Sequence, residues 1–235
     1  MIDVRSTHTT VPFDLYRDIH KAIRVAMFDA VVEAGALDPR DCAARIAHAK
    51  RVHDLVEFLV LHAEHEDRHM EAAIQQVLPD HAVAIAAEHV ALEERMADLL
   101  ELADLAFEAD RDDATAAVHD LYLELASFVS AYLAHQEVEE RVVMPALWNA
   151  FGFEPLVAIH QAILQSIAPD DMAKSLSKML PAMNIDGRAE MLGGIRATAP
   201  APAFAGVCAL AQQVLTPADF ASLSRRLQLQ SVSVG

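Results

Sequence analysis

Cysteine is scarce in this chain, and the two that occur, Cys42 and Cys208, are far apart and lack CxxC spacing. This excludes a disulfide-stapled fold and a thiolate metal cluster. Their apolar neighbours predict buried, unpaired thiols. Long hydrophobic runs are also missing: no stretch reaches the length of a membrane span, and residues 1–11 lack the apolar core of a signal peptide. We therefore expect a cytoplasmic protein.

Basic residues are few as well. Lysine and arginine number 18 against 35 aspartates and glutamates, which gives a formal net charge of −17. This balance argues against nucleic acid or an anionic membrane as a partner, because both attract clustered positive charge. Glycine, with 7 residues, is also rare, whereas 54% of the chain is hydrophobic. Together with heavy alanine and leucine usage, this composition favours helices throughout and predicts an all-α fold.

Apolar residues recur at intervals of three and four along four long segments. The first runs from Pro12 to Gly35, the second from Asp38 to Leu78, the third from Asp80, as its cap, to Glu108, and the fourth from Ala114 to Ala150. Long amphipathic helices joined by short polar turns predict an antiparallel up-down-up-down four-helix bundle over residues 1–150.

Prolines and glycines divide the remainder, residues 151–235, into short segments. We expect a separate C-terminal module of short helices there. Thr216 followed by Pro217 and Asp219 has the pattern of a helix start. The leucines and methionines of this module predict core packing or, alternatively, a surface for a protein partner.

Histidine and glutamate are paired more often than chance allows. Twelve histidines and sixteen glutamates in 235 residues predict about one HxxxE match from random placement. On a helix this spacing puts both side chains on one face, where an imidazole and a carboxylate are costly to bury unless they find partners or hold a cation. Four matches occur: His53/Glu57, His62/Glu66, His89/Glu93 and His135/Glu139.

The order of these residues suggests a duplicated helical hairpin, each copy offering one histidine and then an HxxxE pair. In a bundle, the two copies would bring six nitrogen and oxygen donors to one level, a set suited to two iron or manganese ions. Glu93, His65 and His69 are additional candidate ligands, and a metal-free hydrogen-bonded core is the alternative. The six predicted ligands are His20, His62, Glu66, His89, His135 and Glu139.

The stretch from His135 to Pro145 resembles the HxxxEExxxxP signature of the hemerythrin-like, or HHE cation-binding, family. His62-Ala-Glu-His-Glu66 and the single histidines at 20 and 89 match the other three blocks of that family, so the resemblance covers residues 13–150. It implies a diiron centre of Fe2+ or Fe3+ ions joined by an oxo or hydroxo bridge, with Glu66 and Glu139 as bridging carboxylates. Manganese or zinc are alternatives to iron.

The chain departs from the oxygen-carrying hemerythrins, which have a histidine where Glu93 stands and an aspartate where Glu139 stands. The glutamates make the site harder and more anionic, which disfavours reversible oxygen carriage. We expect a protein that binds or senses dioxygen, nitric oxide, peroxide or iron. The alternatives are a diiron oxidoreductase that turns such oxidants over and a metal-free interaction module. Tyr16 and Tyr132 are placed to contact a bound oxygen species, or are core aromatics.

Overall fold

The structure is a computed structural model and describes residues 11–229. Within that range the chain is helical and contains no strand, so the all-α prediction is confirmed. The elements are α1 Arg17–Ala36, α2 Cys42–His69, α3 Glu71–Val77, α4 Pro79–Glu108, α5 Ala114–Val138, a π-helical segment Glu139–Val143, α6 Met144–Phe151, α7 Phe153–Ser166, α8 Pro169–Ala182, α9 Ile185–Thr198, α10 Ala201–Val214 and α11 Pro217–Leu227.

The described residues form two compact units. The first contains most of α1 and all of α2 to α7, and the second contains α8 to α11 with a short segment of α1. α7, which follows residue 150, belongs to the first of these units. The reason is that Leu156 of α7 is fully buried in the same apolar cluster as Met144 and Leu147 of α6.

Within the first unit, α4 packs against α2 and against α5. Gly35 does not end the first helix, as its sequence position suggested, but lies inside α1. A Cβ atom at Gly35 would lie 3.1 Å from the ring of Tyr122 on α5. This glycine is therefore a point of close approach to an aromatic side chain, and the helix ends one residue later.

Three predicted helix starts need correction. α1 begins at Arg17 rather than near Pro12, because the Asp14 carboxylate accepts the backbone N–H groups of Tyr16 and Arg17 at 2.9 and 3.0 Å. α2 begins after Asp41, whose side chain accepts the N–H of Ala44, rather than at Asp38. α4 begins at Pro79, and Asp80 lies in its first turn instead of capping it.

The second predicted helix is also interrupted. α2 ends at His69, and α3 follows after Met70, which is 2% exposed and belongs to the apolar cluster that contains Tyr16 and Met144. The break lets Met70 and Ile74 both enter this cluster. The fourth predicted helix is a continuous helical stretch, but one turn of it is π-helical.

The second unit has its own core, in which Leu180, Leu192 and Leu223 are completely buried. The predicted helix start at Thr216 is confirmed, because its hydroxyl accepts the N–H of Asp219 at 3.1 Å. Both cysteines are free thiols. Cys42 is exposed at the start of α2, so the prediction that it is buried was wrong, and Cys208 is half-buried.

No single helix between residues 11 and 229 is long and apolar enough to cross a membrane. The helices Ala114–Phe151 and Phe153–Ser166 reach that length and apolar composition only when they are taken together, and the chain bends by 119° between them.

Candidate metal centre

Four buried side chains from three continuous helical stretches of the first unit converge on one point. Glu66 comes from α2, His89 from α4, and His135 and Glu139 from α5 and the π-helical segment. Each offers one nitrogen or oxygen atom, and these atoms all lie within 4.8 Å of one another. Since the HxxxE spacing places His135 and Glu139 one helical turn apart, the helix itself presents both to this point.

The two histidines are held by carboxylates behind them. His89 Nδ1 lies 2.7 Å from Asp67 Oδ1, and His135 Nδ1 lies 2.8 Å from Glu88 Oε2. A carboxylate accepts a hydrogen bond, so each Nδ1 carries the proton and donates it. In the neutral imidazole, the opposite nitrogen, Nε2, then presents a lone pair to the interior.

These two lone pairs face each other. The distance from His89 Nε2 to His135 Nε2 is 3.2 Å, which is hydrogen-bond range for two atoms that are both acceptors in this tautomer. Such a contact is repulsive unless a proton or a metal cation lies against it. An outer carboxylate that fixes the tautomer of an imidazole is also the usual support of a metal-binding histidine.

The two glutamates add negative charge at the same point. Glu139 Oε1 lies 3.2 Å from His135 Nε2, and Glu66 Oε2 lies 3.5 Å from His89 Nε2. Both oxygens of Glu66 are buried, and their contacts with His62 and His89 are ion-pair contacts and not well-formed hydrogen bonds. Burial removes hydration from this carboxylate, and a cation would offset that loss.

The pKa shifts reflect the same crowding. Burial, followed by the neighbouring charge of Glu139, raises the pKa of Glu66 well above its ordinary value. Burial lowers the pKa of His135, but hydrogen bonds to Glu139 and Glu88 and the charge of Glu139 outweigh it, so that pKa is raised overall. Without a metal, the centre therefore relieves its negative charge by retaining protons.

A second group of candidate ligands in the first unit consists of His62 and Glu66. His62 Nε2 lies 3.1 Å from Glu66 Oε1. Glu66 thus belongs to both groups, one oxygen near His62 and the other near His89. This is the arrangement that a bridging carboxylate between two ions requires, and the nitrogen and oxygen donors suit iron, manganese or zinc.

The additional candidates from the sequence belong to neither group. Glu93 is exposed on α4. His65 is buried, but its Nδ1 lies 2.5 Å from the carbonyl oxygen of Leu61. His69 Nε2 lies 3.1 Å from Ser166 Oγ. Within the first unit, His53 pairs with Asp104 at 2.9 Å on an exposed face, away from the buried groups.

The two tyrosines are buried beside the carboxylates. Tyr16 is 1% exposed and Tyr132 is 3% exposed. Burial raises both pKa values well above the ordinary value, and the charges of Glu66 and Glu139 raise them further. Both tyrosines therefore remain protonated, which leaves a hydroxyl proton to donate.

A cavity of about 10 Å3 adjoins the four-residue group. This is about the space that one water molecule needs, so the cavity admits a ligand of very few atoms. Its lining combines polar groups with an apolar wall and reaches exposed residues at its outer edge. The lining residues are Tyr16, Glu66, Asp67, Glu71, Ile74, Ala82, Ile85, Ala86, His89 and Glu139.

The sequence interpretation missed the supporting residues Asp67 and Glu88. The signal that could have found them is adjacency, because Asp67 directly follows Glu66 and Glu88 directly precedes His89. It also missed the π-helical segment that carries Glu139.

Comparisons of this chain with protein-family models, with curated proteins and with solved structures find no match.

Proposed function

We propose that the first unit is a hemerythrin-like four-helix bundle with a non-haem diiron centre, which binds or senses dioxygen, nitric oxide, peroxide or iron. The observation that carries this proposal is the pair of imidazole Nε2 atoms, 3.2 Å apart, whose outer nitrogens are held by Asp67 and Glu88. In this tautomer, a metal cation would satisfy both lone pairs and balance the charge of the two buried carboxylates.

In this proposal, His89, His135 and Glu139 would hold one ion, and His62 would hold the other. His20 is the further ligand that the hemerythrin-like sequence pattern predicts. Glu66 bridges the two, and Glu139 is the second bridging candidate. His20 fits this role because it is completely buried on α1 and lies one helical turn after Tyr16. When bound, the two irons supply one-electron redox chemistry and open coordination positions for a small oxidant.

The chain's own residues account for the selection of a small ligand. The cavity of about 10 Å3 limits what can lie beside Glu66 and His89. Tyr16 lines this cavity and keeps its hydroxyl proton, which it would donate in a hydrogen bond to an anionic ligand. Ile74 and Ile85, both buried, also line this cavity and would restrict the entry of water.

The test is metal loading of the purified chain. After anaerobic incubation with Fe2+ and removal of excess metal, we expect about two irons per chain and an ultraviolet-visible charge-transfer spectrum after oxidation. The double variant His62→Ala/His135→Ala should lose the iron, whereas His119→Ala, at an exposed position on α5, should retain it. A wild-type chain that binds no iron, manganese or zinc would refute the proposal and favour the metal-free interaction module.

A second measurement separates a binder from an oxidoreductase. Iron-loaded protein mixed with excess peroxide should show a stoichiometric spectral change if it binds or senses the oxidant. Sustained consumption of peroxide over many equivalents would instead assign catalytic turnover.

A further inference from the structure

The π-helical segment has a specific hydrogen bond at its end. The backbone N–H of Met144 donates to the carbonyl of Glu139, five residues earlier, instead of the four residues of an α-helix. Glu139, a proposed metal ligand, is the first residue of this segment. The wider turn therefore begins at the residue that carries a candidate ligand.

The wider turn lets residues on its two sides share one buried face. In an unbroken α-helix, Met144 would point about 140° away from Glu139, and Leu147 about 80° away. In the structure Glu139 is 1% exposed and both Met144 and Leu147 are completely buried. Val142 is 39% exposed within the segment. The extra residue in the turn thus allows the carboxylate and the two apolar side chains to face inward together.

Proline explains why the turn lies here. In an α-helix, the nitrogen of Pro145 would have to bond the carbonyl of Arg141, but proline has no N–H and its ring clashes with that carbonyl. Single turns of π-helix occur inside α-helices, and the one in this chain ends at Val143, two residues before the proline. The α-helix then resumes as α6 with Pro145 in its first turn, where a missing N–H is tolerated.

We propose that Pro145 is a positioning residue that, through the π-helical turn, aims Glu139 at the metal centre before any metal binds. This inference rests on the proposed metal-binding function. Met144 and Leu147 are fixed by the apolar cluster around Leu156, and Met144 Sδ accepts the N–H of Leu15 at 3.4 Å. If the turn reverted to α-helix, Glu139 would be the side chain to rotate outward, because a metal-free carboxylate gains hydration there.

The test is Pro145→Ala, with Pro169→Ala in the first turn of α8 as the matched control. In the metal-free Pro145→Ala protein, a crystal structure or backbone NMR should show the Met144 amide bonded to Glu140, four residues earlier, and Glu139 exposed. Affinity for Fe2+ and for the spectroscopic probe Co2+ should fall about 10- to 100-fold, the range for loss of a supporting residue. The control should keep wild-type affinity.

A Pro145→Ala protein that keeps the bond from Met144 to Glu139 and binds Co2+ as tightly as the wild type would overturn the inference. Should that variant not fold, Pro145→Ser restores the same N–H and is judged by the same measurements. The metal-free backbone readout also separates this inference from the proposed function. If the wild type binds no metal, the function fails, while the position of Glu139 in the two metal-free proteins still tests the role of Pro145.

Discussion

The carboxylate of Glu88 should control metal affinity far more than it controls folding. Glu88 lies behind His135, with 2.8 Å between its Oε2 and the ring Nδ1. The proton on Nδ1 leaves Nε2 as the lone pair that meets the metal, and the negative charge makes that lone pair more basic. Removing the carboxylate by Glu88→Ala takes away both effects.

The size of the effect follows from the exposure of the side chain. Loss of such a supporting partner weakens metal binding about 10- to 100-fold, which corresponds to about 1.4 to 2.7 kcal/mol. Because the Glu88 side chain is 46% exposed, its contact with His135 should add little to the stability of the metal-free fold, about 1 kcal/mol or less. The prediction is therefore a large change in affinity with a small change in unfolding free energy.

Two assays measure these quantities. Competition between the protein and a chelator for Co2+ gives the relative affinity, and urea unfolding of the metal-free protein gives the stability. Glu88→Gln, which keeps an acceptor without the charge, should lie between the wild type and Glu88→Ala. Glu94→Ala, at an exposed position on the same helix, is the matched control. If Glu88→Ala binds Co2+ no more weakly than Glu94→Ala, the assignment of His135 as a carboxylate-supported ligand is wrong.

Three further predictions follow from single side chains. Tyr16→Phe should keep the metal content but weaken azide binding to the iron-loaded chain about tenfold or more, because it removes one hydrogen bond to an anion. Equal azide affinities of the wild type and Tyr16→Phe in a spectroscopic titration would contradict this prediction. His48 is 3% exposed, and burial lowers its pKa, so the stability that it contributes is present above its unfolded pKa and is lost as the pH falls. The melting temperature of the metal-free wild type should therefore drop more between pH 7 and pH 5 than that of His48→Gln. Parallel melting curves of the two proteins would refute this prediction. Leu147→Ala should lower the unfolding free energy by about 2 to 5 kcal/mol, because Leu147 is fully buried. Urea denaturation measures this loss, and a smaller loss would show that the apolar cluster around Leu147 collapses into the space left by the side chain.

The helical content and the four predicted helical regions followed from periodicity and composition, because burial of one face leaves a repeat in the sequence. The exact first and last residues of the helices could not be predicted from this periodicity. Asp14 stops α1 from starting earlier by a local side-chain bond to the backbone, and nothing in the repeat distinguishes that aspartate from one inside a helix. The π-helical turn was missed for a related reason, since one extra residue shifts the repeat only slightly.

The candidate ligands could be proposed from spacing, because HxxxE places both side chains on one helical face. The convergence of residues from different helices could not be derived from spacing, since it depends on the relative rotation of α2, α4 and α5. The structure brings Glu66 and His89 to the same point as His135 and leaves Glu93 exposed, although His89/Glu93 has the same spacing as His135/Glu139. Sequence alone treats those two pairs as equivalent.

The position of α7 has a consequence for redox tuning. Leu156 and the partly buried Ile159 and Ile163 pack in one cluster with Tyr16, which lines the cavity beside the candidate ligands. A less polar wall lowers the local dielectric and disfavours a more highly charged ion, so it shifts the reduction potential of a bound iron. In the proposed diiron centre, this potential would depend on a helix that supplies no ligand and lies outside the stretch with the hemerythrin-like pattern.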